Sequence, residues 1–205
     1  QAESYAFPDK FFAPRVWEIR RQRPDADEMA AAIAVVKAAK RPLILAGGGV
    51  RYAGASAALA SFAAATGIPV AATQAGKSVM PEAHPNYVGS LGVTGSSAAN
   101  ALAQKADVVV SVGSRLQDFT TGSNGLITGE IFALNVQLHD AIKHDATTLV
   151  GDALVGLESL AEALTGHQTG SAYQQEYAAL KQQWMAAVDL ATAPMDGNVL
   201  PSDSA

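Results

Sequence analysis

The feature that most constrains this chain is one short pattern used repeatedly: an apolar, β-rich run, a glycine-bearing loop directly after it, then residues at helical spacing. Leu43-Ile44-Leu45-Ala46 runs into Gly47-Gly48-Gly49, and Ala55 to Ala65 follows as a helix. Ile68 to Ala72 runs into the loop Thr73-Gln74-Ala75-Gly76-Lys77-Ser78. A helix over Ser96 to Lys105, capped by Ser96 or Ser97, leads to Asp107–Val112, which opens into Gly113-Ser114-Arg115. Ile131 to Val136 and Thr148 to Val150 complete the strands, and Leu154 to Leu164 is the closing helix. None of these runs alternates polar with apolar residues, so each strand is buried on both faces; strands of that kind joined by helical crossovers form a parallel sheet. The fold class is α/β, three layers deep, with helices on both faces.

The flanks read differently. Residues 1–24 form an arm rich in Phe, Trp, Arg and Pro, including Phe7-Pro8, Phe11-Phe12, Val16-Trp17, Arg20-Arg21 and Pro24. Aromatic groups spaced this way in polar surroundings describe a strap laid over another surface. Asp25 then caps a helix to about Lys40, with Met29, Ile33 and Val36 on one face, which stops before Arg41-Pro42. Residues 25–165 are the α/β domain, and 166–205 are a C-terminal linker with a helix. Within that linker Gly166 to Gly170 is a flexible connector, and Ala172 to about Val188 carries a stripe of Tyr173, Tyr177, Leu180 and Trp184 that needs a partner, on this domain or on a neighbour. A start at Gln1 and an end inside a linker-like run read as a piece with a neighbour on each side.

Composition narrows the function. Charged residues are 16% of the 205 and the formal net charge is -5, so no basic stripe exists to neutralise nucleic-acid phosphates. No apolar run approaches the ~20 residues of a membrane span. With no cysteine there is no disulfide or thiolate chemistry, and the start Gln1-Ala2-Glu3-Ser4 lacks the layout of a secretory signal, so a cytoplasmic setting is expected.

In an open parallel sheet, ligands gather beyond the carboxyl ends of the strands. The expected contacts are therefore Gly47, Gly48 and Gly49; Thr73, Gln74, Gly76 and Lys77; Thr94 and Gly95 in the run Gly92-Val93-Thr94-Gly95; and Arg115, Gln117 and Asp118. For any single loop, a tight turn is an equally good reason for glycine. The dinucleotide fingerprint fails, because Tyr52 stands where its third glycine belongs and no acid follows Ala72-Thr73-Gln74. Ala71 with Gly76-Lys77-Ser78 misses the first glycine of a triphosphate loop, and Pro81 and His84-Pro85 would break the helix that loop requires. His84, His139, His144 and His167 are isolated, with no spacing for a metal, and no nucleophile–His–acid set appears, so no catalytic or metal-binding residue is assigned.

Taken together, Lys40-Arg41-Pro42 through Gly49-Val50, Gly67-Ile68-Pro69-Val70, Gly76-Lys77, His84-Pro85 and Ala106-Asp107 through Ser114-Arg115 resemble the central domain of the thiamine-diphosphate-dependent enzymes, acetolactate synthase and its relatives among them. Tyr5-Ala6-Phe7-Pro8, Arg15-Val16-Trp17, Thr73 to Lys77, Gly92 to Gly95, Ala98-Ala99-Asn100 and Arg115 to Ser123 resemble more specifically the trihydroxycyclohexanedione hydrolases of inositol catabolism. Ser78, where that group usually has glycine, and Asn124-Gly125, in place of a more aromatic stretch, depart from it. The resemblance implies a Rossmann-like (DHS-like) fold and a homo-oligomeric parent of three α/β domains. It also implies that thiamine diphosphate and magnesium bind between first and last domains that lie outside this chain. The parent reaction it implies is cleavage of a ring C–C bond to give 5-deoxyglucuronate, while the central domain alone is structural. An acetolactate-synthase-like parent, or a free-standing module that binds FAD or ADP, remain the alternatives. The magnesium motif of that group has no match, since Gly151-Asp152-Ala153 lacks its second glycine and later asparagine.

Overall fold

Six strands lie parallel in one sheet: β1 (Pro42–Ala46), β2 (Val70–Ala72), β3 (Tyr87–Ser90), β4 (Val108–Val112), β5 (Glu130–Asn135) and β6 (Thr147–Val150), in the spatial order β3-β2-β1-β4-β5-β6. The computed structural model describes residues 6–193. β1 and β4 form the centre, in register from Pro42 against Val108 to Ala46 against Val112, and both are buried along their whole length. Their Leu, Ile and Val side chains suit a pleated surface covered on both sides. Pro42 is the first residue of β1, a strand position that tolerates its missing N–H.

Helices α1 (Ala26–Ala38), α3 (Ser56–Thr66) and α7 (Ala153–Ala163) cover one face, where Ile44, Phe62, Val110, Phe132 and Leu157 form the larger core. On the other face α4 (Ser97–Lys105) and α8 (Ser171–Thr192) bring Leu102, Tyr173 and Tyr177 onto Leu43, Leu45 and Val109. Three short helices, α2 (Gly48–Tyr52), α5 (Asp118–Thr121) and α6 (Leu138–Ala141), sit in the connections after β1, β4 and β5. Asp25 caps α1 through the N–H groups of Asp27 and Glu28, and Ser96, not Ser97, caps α4 by accepting from Ala99 N at 3.0 Å. Such caps stabilise a helix by ~1 kcal/mol each.

Three features depart from the sequence reading. First, β3 was not anticipated: it has four residues, contains Gly89 at φ +97°, and becomes a strand only by pairing with β2. Second, the stripe on the C-terminal helix finds its partner on this domain. The Tyr173 hydroxyl donates to Pro42 O at 3.0 Å, and Arg41 grips both Glu176 oxygens at 2.8 Å while its guanidinium lies 4.9 Å from the centre of the Tyr173 ring. Asn86 Nδ2 donates to the Tyr177 hydroxyl at 3.1 Å, and Lys181 Nζ donates to His84 O at 2.7 Å. The reason is topological: β2 and β3 are joined by a connection whose one helical element is a three-residue 3-10 turn over Gln74–Gly76, so α8 supplies the cover that a crossover helix would have given. Third, the segment 166–170 is tied down, because Thr169 donates through N to Thr66 O and through Oγ1 to Gly67 O, both at 2.8 Å.

No described helix is long and apolar enough to cross a membrane.

Candidate functional site

Because all six strands run the same way, the loops after β1, β2, β3 and β4 meet on one edge of the sheet, as the glycine pattern predicted. The chain proceeds outward from β1 through β2 and β3 on one side, then returns to β4 and proceeds through β5 and β6 on the other. The order thus reverses between β1 and β4, the place where an open α/β sheet leaves a crevice. A cleft of about 660 Å³ lies there. Gly48, Gly49 and Tyr52 line it from the β1 loop, Thr73 and Gln74 from the β2 loop, Ser114 to Gln117 with Phe119 from the β4 loop, and Asn135, Val136 and Asp140 from the β5 side.

The first glycine loop owes its composition to a backbone contact. A β carbon on Gly47 or Gly49 would fall within 2.3–2.7 Å of the Gly113–Ser114 backbone. The same approach lets Gly47 N–H donate to Val112 O at 2.8 Å and Gly49 N–H to Gly113 O at 3.0 Å. These two donors are therefore committed within the protein, unlike the free amides of a phosphate cradle. Gly76 is explained in the same way, as a β carbon there would lie 2.1 Å from Ala46 O. Thr73 is buried and its Oγ1 accepts from Gly76 N at 3.0 Å, closing the turn, while exposed Gln74 reaches Thr94 Oγ1 at 3.2 Å. Lys77 is exposed, its carbonyl accepts from Arg51 at 3.1 Å, and no helix begins there, in keeping with rejection of the triphosphate loop.

Of the expected contacts, Gly48, Gly49, Thr73, Gln74, Arg115 and Gln117 line the cleft. Asp118 lines a shallower neighbouring depression with Lys143 and His144, whereas Gly47, Gly76, Lys77, Thr94 and Gly95 stand behind or beside the lining. The Arg115–Gln117 turn is held by buried Leu116 at φ +49°, a left-handed conformation costing ~1–2 kcal/mol for a residue with a β carbon. Its N–H donates to Ser114 Oγ at 3.1 Å, and Asn135 Nδ2 donates to Ser114 O at 2.9 Å, which stitches the β4 loop to the β5 loop.

Asn135, Tyr52, Ile19 and Arg20 also line the cleft and were not among the expected contacts. The last two belong to the arm, whose end folds back over the cleft. Arg21 Nη1 donates to Ala53 O at 2.8 Å and to Asp152 Oδ1 at 2.9 Å, and Asp152 N donates to Gln22 O at 2.9 Å. A polar residue ending an apolar strand was the available signal for Asn135; the others depend on tertiary packing.

Two of the acidic groups at the cleft already have partners. Asp152 is spent on capping α7 and on Arg21, and Asp140 is paired with Lys143 at 2.7 Å. Gly151-Asp152-Ala153 therefore does not fit a magnesium ion, and no group of three or more metal-ligating side chains exists among the described residues. Perturbed titrations mark the α8 dock instead of the cleft: burial pushes the Tyr173 phenol up, the Arg41 hydrogen bond holds Glu176 below the usual carboxylate range, and burial lowers Lys181 and His84.

A family model described as "Thiamine pyrophosphate enzyme, central domain" matches residues 29–160. The chain is 44% identical over 185 residues to a 3D-(3,5/4)-trihydroxycyclohexane-1,2-dione hydrolase of Geobacillus thermodenitrificans, covering 90% of this chain and 29% of that protein. It is 40% identical over 187 residues to the hydrolase of the same name from Clostridium perfringens, with the same shares covered. The chain thus spans less than a third of the length of these curated relatives. Among solved structures, a Mycobacterium smegmatis protein assigned to the thiamin diphosphate-dependent enzymes superposes with a TM-score of 0.58 at 27% identity, over 73% of this chain and 30% of the other.

Proposed function

The chain belongs to the thiamine pyrophosphate enzyme central-domain family, and from that premise we propose that it is the middle part of a thiamine-diphosphate-dependent hydrolase that opens trihydroxycyclohexane-1,2-dione. The observation that carries this reading is 44% identity along 90% of the chain to a hydrolase named for that substrate. The parent cleaves a ring C–C bond with water to give 5-deoxyglucuronate in the cytoplasm, as a homo-oligomer. Thiamine diphosphate supplies the carbanion-stabilising chemistry and magnesium anchors it, both on domains beyond this chain. In this reading the central domain contributes shape and contacts, and the reaction takes place on the flanking domains. The test is turnover of the ring dione by the full encoded protein with both cofactors added. Ring opening is expected; conversion of pyruvate to acetolactate in its place would move the chain to the acetolactate-synthase-like reading.

A second reading concerns the cleft itself. Its volume of about 660 Å³ lies within the ~300–1,000 Å³ of small-molecule sites, and Arg20 and Arg115 bring positive charge to it, which favours an FAD or ADP. Because the amides of Gly47 and Gly49 are committed, the phosphates would rely on those arginines. Thermal unfolding with FAD, ADP and NAD tests this: a rise of several degrees with one nucleotide supports the site, and no rise with any of them removes it.

A further inference from the structure

Asn124-Gly125, one of the two places where the sequence departs from the group it resembles, lies in neither the sheet nor the lining of either depression. Asparagine before glycine is a reactive pair, because the missing β carbon lets the next backbone nitrogen approach the side-chain carbonyl. In a folded protein the outcome depends on burial and on what holds the amide.

The molecule supplies its own comparison. Of the five asparagines in the sequence, Asn198 lies outside the described residues. Asn86 is buried, donates to Ile68 O and to the Tyr177 hydroxyl, and precedes Tyr87. Asn135 is buried, donates to Ser114 O and precedes Val136. Asn100 lies within α4 and clasps Gly92, accepting from its N–H at 3.1 Å and donating to its carbonyl at 2.9 Å. Each of these three amides joins two segments. Asn124 is exposed, its side chain makes no hydrogen bond among the described residues, and glycine follows it.

Its backbone is strained as well. Gly122, Ser123 and Asn124 stand in succession at φ +56°, +52° and +66°, a left-handed run that residues with a β carbon rarely adopt. The bonds that close the turn stay within residues 118–126. Ser123 N donates to Asp118 O at 3.0 Å, Asn124 N to Thr121 Oγ1 at 3.1 Å, Gly125 N to Gly122 O at 3.0 Å and Leu126 N to Thr121 O at 2.9 Å. A turn held by such short-range bonds opens locally while the sheet stays intact. Opening frees the Gly125 nitrogen from Gly122 O and lets it face Asn124 Cγ.

We propose that Asn124 is a site of spontaneous deamidation and isoaspartate formation, an ageing mark carried by the connection between α5 and β5. The Gly125 amide gives up its proton and its nitrogen attacks Asn124 Cγ. The new C–N bond closes a succinimide ring, and the side-chain nitrogen leaves as ammonia. Water then opens the ring at either carbonyl. Opening at Cγ gives aspartate; opening at the α carbonyl gives isoaspartate, whose main chain runs through Cβ and is one atom longer. One water enters, one ammonia departs, nothing is oxidised, and one negative charge is added. The extra atom falls between Gly122, whose β position abuts Leu126, and Leu126 itself, which packs on the smaller core, so isoaspartate loosens this closure.

The test is prolonged incubation of the full encoded protein at pH 8, followed by tryptic digestion and fragmentation mass spectrometry. Peptide Leu116–Lys143 carries Asn124 and Asn135, and Ser78–Lys105 carries Asn86 and Asn100, so the three comparison sites are read in the same digest. Asn124 is expected to convert at least about tenfold faster than any of them, with isoaspartate reported by its specific enzymatic carboxyl methylation. Conversion no faster than at Asn135 would overturn the proposal. Gly125→Ala crowds the attacking nitrogen and should slow the reaction at least about tenfold. An unchanged rate in that variant would mean direct hydrolysis of the side chain and would overturn the cyclic route. Reaction in the unaltered protein should also be faster at pH 8 than at pH 6, since the amide proton must leave first; the reverse order counts against it.

Discussion

Gly47 and Gly113 meet backbone to backbone: a β carbon on Gly47 would lie 2.3 Å from the Gly113 carbonyl oxygen and 2.6 Å from the Ser114 α carbon. Neither partner can yield as a flexible side chain would. Gly47→Ala should therefore destabilise the domain by about 2–3 kcal/mol, read as a lower urea midpoint with an unchanged slope. A cost below about 0.5 kcal/mol would mean that the two loops part easily and that the floor of the cleft is soft.

Asp152 and Arg21 share an ion pair but not its importance. Asp152 also accepts from the N–H groups of Leu154 and Val155 at the start of α7. Asp152→Ala is expected to cost about 1–2 kcal/mol through the lost cap, whereas Arg21→Ala, at an exposed position, should cost under about 1 kcal/mol. Both should speed tryptic cleavage after Arg20, since the arm is pinned beside it. Unchanged cleavage in both variants would show that the pin does not restrain the arm.

Tyr173 is buried and its hydroxyl has one protein partner, the carbonyl of Pro42. Tyr173→Phe keeps the ring and leaves that carbonyl short of a donor, at an expected cost of about 1–1.5 kcal/mol. Calorimetry of the two proteins decides; equal melting temperatures would assign the helix dock to apolar contact alone.

Glu176 makes this dock sensitive to acid. Its folded pKa is depressed by the hydrogen bond from Arg41, so its stabilisation is present above the unfolded value near 4.5 and is lost as pH falls through the lower folded value. Both side chains are about a third exposed, and solvent screening limits the effect to about 1 kcal/mol or less. Between pH 6 and pH 3.5 the wild-type chain should lose more stability than Glu176→Gln. Parallel pH curves would rule the pair out as a contributor.

The strands with a long apolar run were readable from sequence alone: β1, β4 and β5 lie within a residue of where Leu43–Ala46, Asp107–Val112 and Ile131–Val136 placed them. Burial on both faces leaves such a run no alternative. Tyr87–Ser90 was not readable, because a glycine at φ +97° in a four-residue segment has weak strand preference of its own and depends on β2. The cleft was half legible. Glycines after strands located the edge, yet what each glycine does was hidden. Gly47 serves a contact with Gly113, more than sixty positions along the chain, and Gly76 one with Ala46. Ile19, Arg20 and Tyr52 reach the same space from an arm and a short helix, with no shared local pattern to connect them.

The position of α8 bears on how the chain is made. Two strands near the start of the domain share α4 and the last helix as cover, so a ribosome must release residues beyond Trp184 before the shielding of Leu43, Leu45 and Ala71 is complete. Until then a nascent sheet with one side half covered is adhesive, which makes this the stage at which chaperone capture or aggregation competes with folding.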